Sequence, residues 1–332
     1  MEHYRQSNFE LLRLVAMLMV MVCHAIGFVQ EADLVGVAGA CKLAFIQFFM
    51  ICVNVFIMIS GWFGIKASIK GAAKLLFQIF FLGLLVFIVF AALGLPVSIK
   101  KDLLPYLFFG YKYWFVASYL ILYALSPILN AFIENTSEKV FRYVLIGFFA
   151  TEFVYGFLTE SGHFDYGFSA LSFIGLYLLA RYARLYSGTL FSLNKWTDLG
   201  IYLGVSVASM IGFWFGYKWF GMGFHLNQYD SPLAIIAALY LVLFFSKLQF
   251  QSKMVNWLAT SAFAIYLLHQ NSLIAPYYYQ LFDKLRDIVS PSAWYPIMFG
   301  IVIILGFVFI LVDKLRILAW NGVLKLSAPD KR

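Results

Sequence analysis

The sequence predicts an all-α fold that crosses a membrane many times, and three observations carry this prediction. The chain has 332 residues, of which 63% are hydrophobic and only 12% are charged, about half the charged fraction of a soluble domain. Its mean hydropathy is +0.85. The charged residues collect in short clusters, and the apolar runs between them reach the roughly 20 residues that a membrane-spanning helix needs. A soluble globular protein is therefore excluded.

Charged, proline and glycine residues divide the apolar runs into ten predicted spans. These lie near residues 9–28, 43–62, 75–95, 113–133, 140–158, 166–183, 199–220, 231–247, 255–275 and 295–313. No linker, internal repeat or low-complexity tract interrupts the series, and the connections between spans are too short for separate domains. We therefore expect residues 1–332 to form a single integral-membrane domain, a polytopic helix bundle.

The distribution of lysine and arginine predicts the orientation of this bundle. With the N-terminus inside, 16 of the 24 basic residues fall in inner segments and 7 in outer loops, while Arg13 lies within a span. Because lysine and arginine in short loops favour the cytoplasmic side, both termini are expected in the cytoplasm. The same bias accounts for the net charge of +8, so nucleic acid is not an expected partner.

Several kinds of chemistry lack their usual residues. Cys23, Cys41 and Cys52 lie in apolar runs without metal-binding or redox spacing, and their odd number gives no disulfide framework. The sequence also has no ATPase phosphate-binding loop, no serine-hydrolase elbow and no zinc-protease motif. No metal site is expected, and a histidine-centred mechanism remains.

The first span carries three ionisable residues, Glu10, Arg13 and His24. An offset of 11 residues returns to within roughly 20° of the same helix face, so Arg13 and His24 share one stripe. Glu10 lies one turn before Arg13 and is expected to form an i,i+3 ion pair with it. Taken singly, Arg13 is explained by snorkelling to the interface and His24 by a bond to a neighbouring carbonyl. Their common face favours a functional site.

Two further polar groups interrupt later spans. Tyr266 and His269 lie one turn apart in the ninth span, which suits joint action on a hydroxyl, although a polar cap at the outer end of the span explains them equally well. Glu152 is a lone carboxyl in the fifth span. Such a group is expected to pair with a cation or to orient a histidine, and His24 is one candidate partner.

Basic and aromatic residues flank two other spans. Lys66, Lys70 and Lys74 recur at intervals of four and are expected to line one helix face, where they would bind phosphates as point charges. The cytoplasmic bias of lysine explains this row equally well. Tyr111, Tyr113 and Trp114 open the fourth span and are typical of an interfacial aromatic belt.

Four of these segments, in the same order, resemble the signatures of membrane acyltransferase family 3. The elements that carry the resemblance are Arg13-x10-His24 preceded by Glu10, the segment with Phe56, Ser60, Gly61, Lys70 and Lys74, the pair Trp114 and Phe115, and the pair Tyr266 and His269. Many members have aspartate in place of Glu10, and an Arg-x-x-Arg where this chain has lysines. The resemblance covers most of the chain.

The resemblance implies a membrane O-acetyltransferase of the bacterial inner membrane. Such enzymes move an acetyl group from acetyl-CoA, with no permanently bound cofactor, to a hydroxyl of a cell-surface glycan or a lipid-linked saccharide. Donor binding would then fall to Arg13 with Glu10 and Ser60, to Lys70 and Lys74, and to Trp114. His24 would act as the general base. Catalytic support would come from Tyr266 or His269, which would polarise the thioester carbonyl, and from Glu152.

A competing interpretation from another class is a transporter or flippase for a lipid-linked glycan. In that case His24, Arg13 and Glu10 would form a proton relay. Transporters of this kind usually contain inverted repeats, which the sequence does not display.

Overall fold

The computed structural model describes residues 5–27, 35–108, 113–159, 162–186, 188, 191–221, 223 and 225–326. Over these residues the chain is 81% helical and contains no strand. The predicted all-α class is therefore confirmed. Tyr111, which sequence analysis placed in an aromatic belt, lies outside the described residues.

The described part of the chain forms fourteen α-helices. They are α1 (Ser7–Ile26), α2 (Gly36–Phe49), α3 (Cys52–Phe63), α4 (Ile69–Ala92), α5 (Leu104–Leu107), α6 (Trp114–Glu134), α7 (Glu138–Glu152), α8 (Ala170–Leu185), α9 (Lys195–Phe220), α10 (Pro232–Ser246), α11 (Lys253–Ala259), α12 (Ala262–His269), α13 (Ala275–Ile288) and α14 (Pro291–Leu326). Two π-helical segments (Ile99–Leu103 and Phe153–Leu158) and a 3₁₀ turn (Asp165–Gly167) connect some of them.

Seven helical segments among the described residues are long and apolar enough to cross a membrane. These are Ser7–Ile26, Gly39–Phe63, Ile69–Ala92, Trp114–Glu134, Glu138–Leu158, Lys195–Phe220 and Pro291–Lys325. The other three predicted spans are shorter: α8 has 16 residues, α10 has 15, and the ninth span is divided into α11 and α12. At about 1.5 Å per residue, α8 and α10 fall short of the roughly 30 Å hydrocarbon core. The structure therefore supports a multi-span protein but leaves the count of ten a prediction.

The chain divides into two compact units, each made of two separate chain segments. Unit 1 comprises Met1–Lys66 and Ser118–Asn256, and unit 2 comprises Ala67–Ala117 and Trp257–Arg332. The chain boundary between them falls after the first turn of α6. Whether residues 1–332 act as one domain remains a prediction.

Unit 1 is built around α1, of which 14 of the 20 residues are buried. This helix packs against α2, α3 and α10. Its N-terminal end is anchored to the end of α10, where Asn8 Nδ2 donates to the Phe245 carbonyl at 2.9 Å. Buried on most sides, α1 holds its polar residues within the protein rather than on an isolated surface helix.

Helices α3 and α8 of unit 1 approach each other at Gly61. A Cβ atom on this glycine would lie 2.3 Å from the carbonyl oxygen of Tyr177, a distance that real Cβ atoms do not adopt. Glycine is therefore required for this close contact. The approach brings the C-terminal end of α3 next to the arginines of α8.

Unit 2 contains a buried ion pair on α14. The Arg316 guanidinium donates to both carboxylate oxygens of Asp313, at 2.9 and 2.6 Å, and Gln78 Nε2 of α4 donates to Asp313 Oδ1 at 3.1 Å. The exposed fractions are 2% for Arg316 and 0% for Asp313. Each charge is balanced by the other, as buried charges require.

Candidate active site

The predicted ion pair on the first helix is present. Arg13 Nη1 lies 2.7 Å from Glu10 Oε1, and the side chains are 31% and 6% exposed. Arg5 approaches the second Glu10 oxygen at 3.7 Å and is more exposed. A carboxylate in the first turn also interacts favourably with the N-terminal end of the helix dipole. Glu10 therefore holds the Arg13 guanidinium in a defined position.

His24 lies in the last turn of the same helix and is half-buried. It follows Arg13 by 11 positions in the sequence, which corresponds to about 16 Å along the helix axis. Gly27 ends the helix with φ of +75°, a conformation that glycine adopts at little cost. The arginine and the imidazole are thus carried on one rigid, mostly buried element.

The C-terminal end of α3 accepts hydrogen bonds from two arginines of α8. Arg181 Nη1 and Arg184 Nη1 both donate to the Trp62 carbonyl, at 3.2 and 2.6 Å. Gly64 ends α3 with φ of +75°. A Cβ atom added to Gly64 would lie 3.6 Å from Arg181 Cζ, so the guanidinium is next to this glycine. Two guanidinium groups therefore converge on one backbone carbonyl.

A third arginine reaches the same place from α1. The Phe63 ring lies 5.9 Å from Arg13 Cζ and 5.3 Å from Arg184 Cζ. Phe9 packs edge-on against that ring at 4.8 Å. We call Arg13, Arg181 and Arg184 the arginine cluster. Among the described residues, Glu10 is the one carboxylate bonded to the arginine cluster. The cluster therefore carries excess positive charge and favours an anionic ligand.

Sequence analysis did not assign Arg181 and Arg184 to the site, and counted them only as evidence for orientation. Their i,i+3 spacing places both side chains on one face at the C-terminal end of a helix. That spacing was a usable signal. Their convergence with Arg13, however, depends on the packing of α8 against α3, which the local sequence does not specify.

A hydrogen-bond network fixes the residues around this turn. Tyr177 Oη donates to Asn130 Oδ1 at 2.6 Å and accepts from the Ile65 N–H at 3.0 Å, while Asn130 Nδ2 donates to the Ile65 carbonyl at 2.9 Å. Ser60 Oγ lies 3.4 Å from Tyr119 Oη. The predicted donor-binding residue Ser60 is therefore adjacent to a network of α3, α6 and α8.

The prediction that three lysines line one helix face is wrong for Lys66. Ser68 caps α4, since its hydroxyl accepts from the Gly71 N–H at 3.1 Å, and the helix begins at Ile69. Lys66 precedes this start and does not belong to the helix. Lys70 and Lys74 lie in the first turns of α4, in unit 2, and both are exposed.

His269 and Tyr266 lie in the buried part of unit 2, and His269 is the last residue of α12. His269 is 0% exposed, and its Nδ1 lies 2.7 Å from the Ile265 carbonyl. Because a carbonyl oxygen only accepts, Nδ1 must carry a hydrogen, so that Nε2 is the accepting nitrogen of the neutral ring. The Tyr266 ring packs against Tyr113 and Phe115 at 5.7 and 5.4 Å.

Tyr113 is part of this cluster and not of an exposed aromatic belt. It is 5% exposed, and its hydroxyl donates to the Leu267 carbonyl at 2.8 Å. Trp114 is half-buried and contacts Phe115 edge-on at 5.9 Å. The belt interpretation failed for Tyr113 because its hydroxyl finds a partner on α12 inside unit 2.

A cavity of about 280 Å³ in unit 2 contains none of the candidate residues. It is lined by Leu76, Phe77, Phe80, Tyr106 and Leu107. Apart from the Tyr106 hydroxyl, which bonds Ser272, these residues are apolar and supply no charged group for a nucleotide. The tunnel that would join donor and acceptor at His24 remains a prediction.

Glu152 lies at the C-terminal end of α7 in unit 1 and is 1% exposed. Ser172 of α8 and a second buried carboxyl, Asp230, are polar neighbours of Glu152. The expected pairing with His24 remains a prediction. Sequence analysis missed Asp230, because it precedes α10 in a connecting segment and has no helical spacing to reveal it.

Comparison with known proteins gives the class of this chain. Residues 6–311 match the family model of acyltransferase family 3, which is described as an acyltransferase domain. A search of curated proteins and a search of solved structures found no match. The matched range covers most of the sequence and includes Arg13, His24, the arginine cluster and His269. The chain therefore belongs to acyltransferase family 3, and the resemblance stated above is confirmed.

Proposed function

We propose that this protein is a membrane O-acetyltransferase that transfers an acetyl group from acetyl-CoA to a hydroxyl of a cell-surface or lipid-linked glycan. Family membership supports an acyltransferase in general. The observation that supports the more specific proposal is the arginine cluster at the C-terminal end of α3. One of its members, Arg13, lies on the same helix as the half-buried His24. The acyl donor is the anionic partner, and the acceptor supplies the hydroxyl.

The donor end of the site is assigned to the arginine cluster. Guanidinium groups form short, charge-assisted hydrogen bonds with phosphate oxygens, and three of them match the several phosphate groups of CoA. Glu10 positions Arg13, while Ser60 lies next to the cluster. We also keep Lys70, Lys74 and Trp114 as donor-binding residues: the lysines as point charges and Trp114 as an apolar wall.

His24 is assigned as the general base. Its imidazole takes the proton from the acceptor hydroxyl while that oxygen attacks the thioester carbonyl carbon. The tetrahedral intermediate collapses with cleavage of the carbon–sulfur bond, and the imidazolium returns the proton to the departing CoA thiolate. The products are the O-acetyl ester and CoA, so the enzyme ends the cycle unchanged.

Tyr266 is the better choice for stabilising the oxyanion of that intermediate. A phenol donates a hydrogen bond to developing negative charge. His269 uses its Nδ1 hydrogen on the Ile265 carbonyl, so its neutral ring has an acceptor rather than a donor at Nε2. We therefore assign Tyr266 to the thioester carbonyl and His269 to the positioning of the Tyr266 region.

The proposed membrane arrangement follows the charge bias of the sequence. Ten spans with both termini in the cytoplasm place the start of α1, and Arg13, near the inner face of a bacterial inner membrane. His24 then lies about 16 Å further outward along α1. Acetyl-CoA would approach from the cytoplasm and the glycan from the opposite side.

The test is acetyl transfer by purified protein in lipid vesicles supplied with radiolabelled acetyl-CoA and a glycan extract of the parent strain. His24→Ala is expected to remain inserted and to lose at least about 100-fold in kcat, the range of a general base. His163→Ala, an exposed histidine of the same unit, is the control. Transfer at the wild-type rate by His24→Ala would refute the assignment. Glycan composition of deletion and parent strains identifies the acceptor.

A further inference from the structure

Two connecting segments of unit 1 are joined to each other through their backbones. They are residues 162–169, which lead into α8, and residues 225–231, which lead into α10. The Tyr229 N–H of the second segment donates to the Tyr166 carbonyl of the first at 3.1 Å. Gly167, with φ of +86°, lies so close to Tyr229 that an added Cβ would be 2.5 Å from the Tyr229 Cβ. The two segments therefore form one packed surface.

This surface is also fixed to the helices below it. The Phe168 ring meets the Tyr229 ring edge-on at 5.0 Å, and the Phe168 carbonyl accepts from Ser118 Oγ of α6 at 2.9 Å. Within the second segment, the Gln228 N–H donates to the His225 carbonyl at 3.0 Å. The side chains of the two segments are therefore presented in defined positions.

Three residues of this surface have strained backbone conformations. The φ angles are +47° at Asp165, +54° at Tyr166 and +53° at His225. Among the described residues other than glycine, these are the ones with positive φ. Bulky side chains rarely adopt this left-handed region, and such strain clusters at ligand-binding and active sites. The packing of the two segments maintains the strain at Tyr166 and His225 together.

The strained residues carry two parallel rings. The centroids of the Tyr166 and His225 rings are 6.2 Å apart, and the ring planes differ by 16°. Both residues are half-buried, so part of each is accessible. Asp165, which precedes Tyr166, is exposed, and Asn227, two positions after His225, is half-buried. We call the Tyr166 and His225 rings the aromatic platform.

The composition of this surface suits a saccharide. One face of a pyranose ring presents C–H groups, whose partial positive charge is attracted by the negative face of an aromatic ring. The sugar hydroxyls bond carboxylate and amide groups, which fix the orientation of the ligand. A phosphate or a nucleotide would need basic side chains, and the described residues of the two segments include no lysine or arginine.

The aromatic platform is connected to the end of α1 through the start of α3. The Tyr229 carbonyl accepts from Asn54 Nδ2 of α3 at 2.8 Å. Cys52, two positions earlier on α3, is hydrogen-bonded to Cys23, which directly precedes His24 on α1. In the proposed membrane arrangement, both segments follow spans that run outward, so they share the outer side with this end of α1.

We propose that the aromatic platform binds a sugar ring of the acceptor glycan by stacking. This inference rests on the proposed function, because it assigns the acceptor subsite of that reaction. Asp165 and Asn227 supply the groups that bond the sugar hydroxyls. The platform orients the acceptor hydroxyl toward the end of α1 and takes no part in breaking or forming bonds.

The first experiment measures equilibrium binding without acetyl-CoA. The probe is radiolabelled oligosaccharide released from the surface glycan of the parent strain, and the protein is full-length in lipid nanodiscs. The double variant Tyr166→Gly/His225→Gly removes both rings, while glycine adopts positive φ without strain, so the fold is expected to persist. Its Kd for the oligosaccharide is expected to rise at least about tenfold.

Two further variants serve as controls for the ring contribution. Tyr143→Ala removes a tyrosine of α7 that is 57% exposed, and its Kd is expected to equal that of the wild type. Tyr166→Phe keeps the ring and is expected to bind within a few-fold of the wild type. An unchanged Kd in the glycine double variant, or no binding by the wild type, would overturn the proposal.

Kinetics in lipid vesicles separate this inference from the proposed function. The glycine double variant is expected to raise the KM for the glycan at least about tenfold and to leave the KM for acetyl-CoA unchanged. Oligosaccharide binding that depends on the platform, in a wild type without acetyl transfer, would support the platform and refute the transferase. Acetyl transfer with unchanged glycan KM in the double variant would refute the platform alone.

Discussion

Two groups of arginine side chains in this molecule differ in how their charge is balanced. In unit 2, Arg316 is 2% exposed and meets Asp313 through two hydrogen bonds, with Gln78 completing the carboxylate. In unit 1, Arg181 and Arg184 bond a backbone carbonyl, and the carboxylate beside Arg13 is Glu10. The balanced pair lies within one helix and is linked to α4 by Gln78, whereas an excess of cations is suited to bind an anion.

The largest expected effect breaks the balanced pair. Arg316→Met leaves Asp313 buried without its counter-charge, which costs about 3–5 kcal/mol of folding free energy. The double variant Arg316→Met/Asp313→Leu removes both charges and is expected to recover most of that loss. Unfolding midpoints in nanodiscs measure both. Equal midpoints for the wild type and the single variant would show that the pair contributes nothing.

A substitution in the arginine cluster is expected to lower stability less than Arg316→Met does and to affect activity more. Arg184 is exposed and forms no ion pair with a carboxylate of the described residues, so the unfolding midpoint of Arg184→Gln is expected to stay near that of the wild type. Its KM for acetyl-CoA is expected to rise about tenfold, the value of one charged hydrogen bond, with kcat little changed. Arg142→Gln, an exposed arginine of the same unit, is the control. A loss in kcat alone would contradict a donor-binding role.

The smallest effect is expected at Glu10. Its ion pair with Arg13 is partly exposed on the arginine side, and such pairs contribute about 0.2–1 kcal/mol. Glu10→Gln keeps the side-chain shape but loosens Arg13, so the KM for acetyl-CoA is expected to change by only a few-fold. Glu10→Asp, the residue found in many members of the family, is expected to restore wild-type kinetics. A change as large as that of Arg184→Gln would mean that Glu10 does more than position Arg13.

Sequence reasoning succeeded where the signal was local. Apolar runs of sufficient length gave the all-α membrane class, and i,i+3 spacing gave the Glu10–Arg13 pair. Lys66 was misplaced because Ser68 starts the helix three residues later than the lysine spacing suggested. Even this error has a local cause, a cap that competes with the periodic pattern.

Contacts between distant segments were not predictable in the same way. Tyr113 resembled an interfacial residue, yet its hydroxyl bonds the Leu267 carbonyl, 154 positions away. Arg181 and Arg184 reach Trp62 across more than 100 residues. Glu152 has Asp230, 78 positions away, as a neighbour, and Asp230 packs against Gly156 and Gly167. Such partners depend on helix packing, which a single sequence does not encode in its spacing.

The most direct test of the central claim, that the arginine cluster holds the acyl donor, is equilibrium binding of CoA to purified protein in nanodiscs. The wild type and Arg142→Gln are expected to bind CoA with equal Kd, and the double variant Arg181→Gln/Arg184→Gln at least tenfold more weakly. Binding that weakens with added salt is also expected. An unchanged Kd in the double variant would contradict the assignment of the donor phosphates to this cluster.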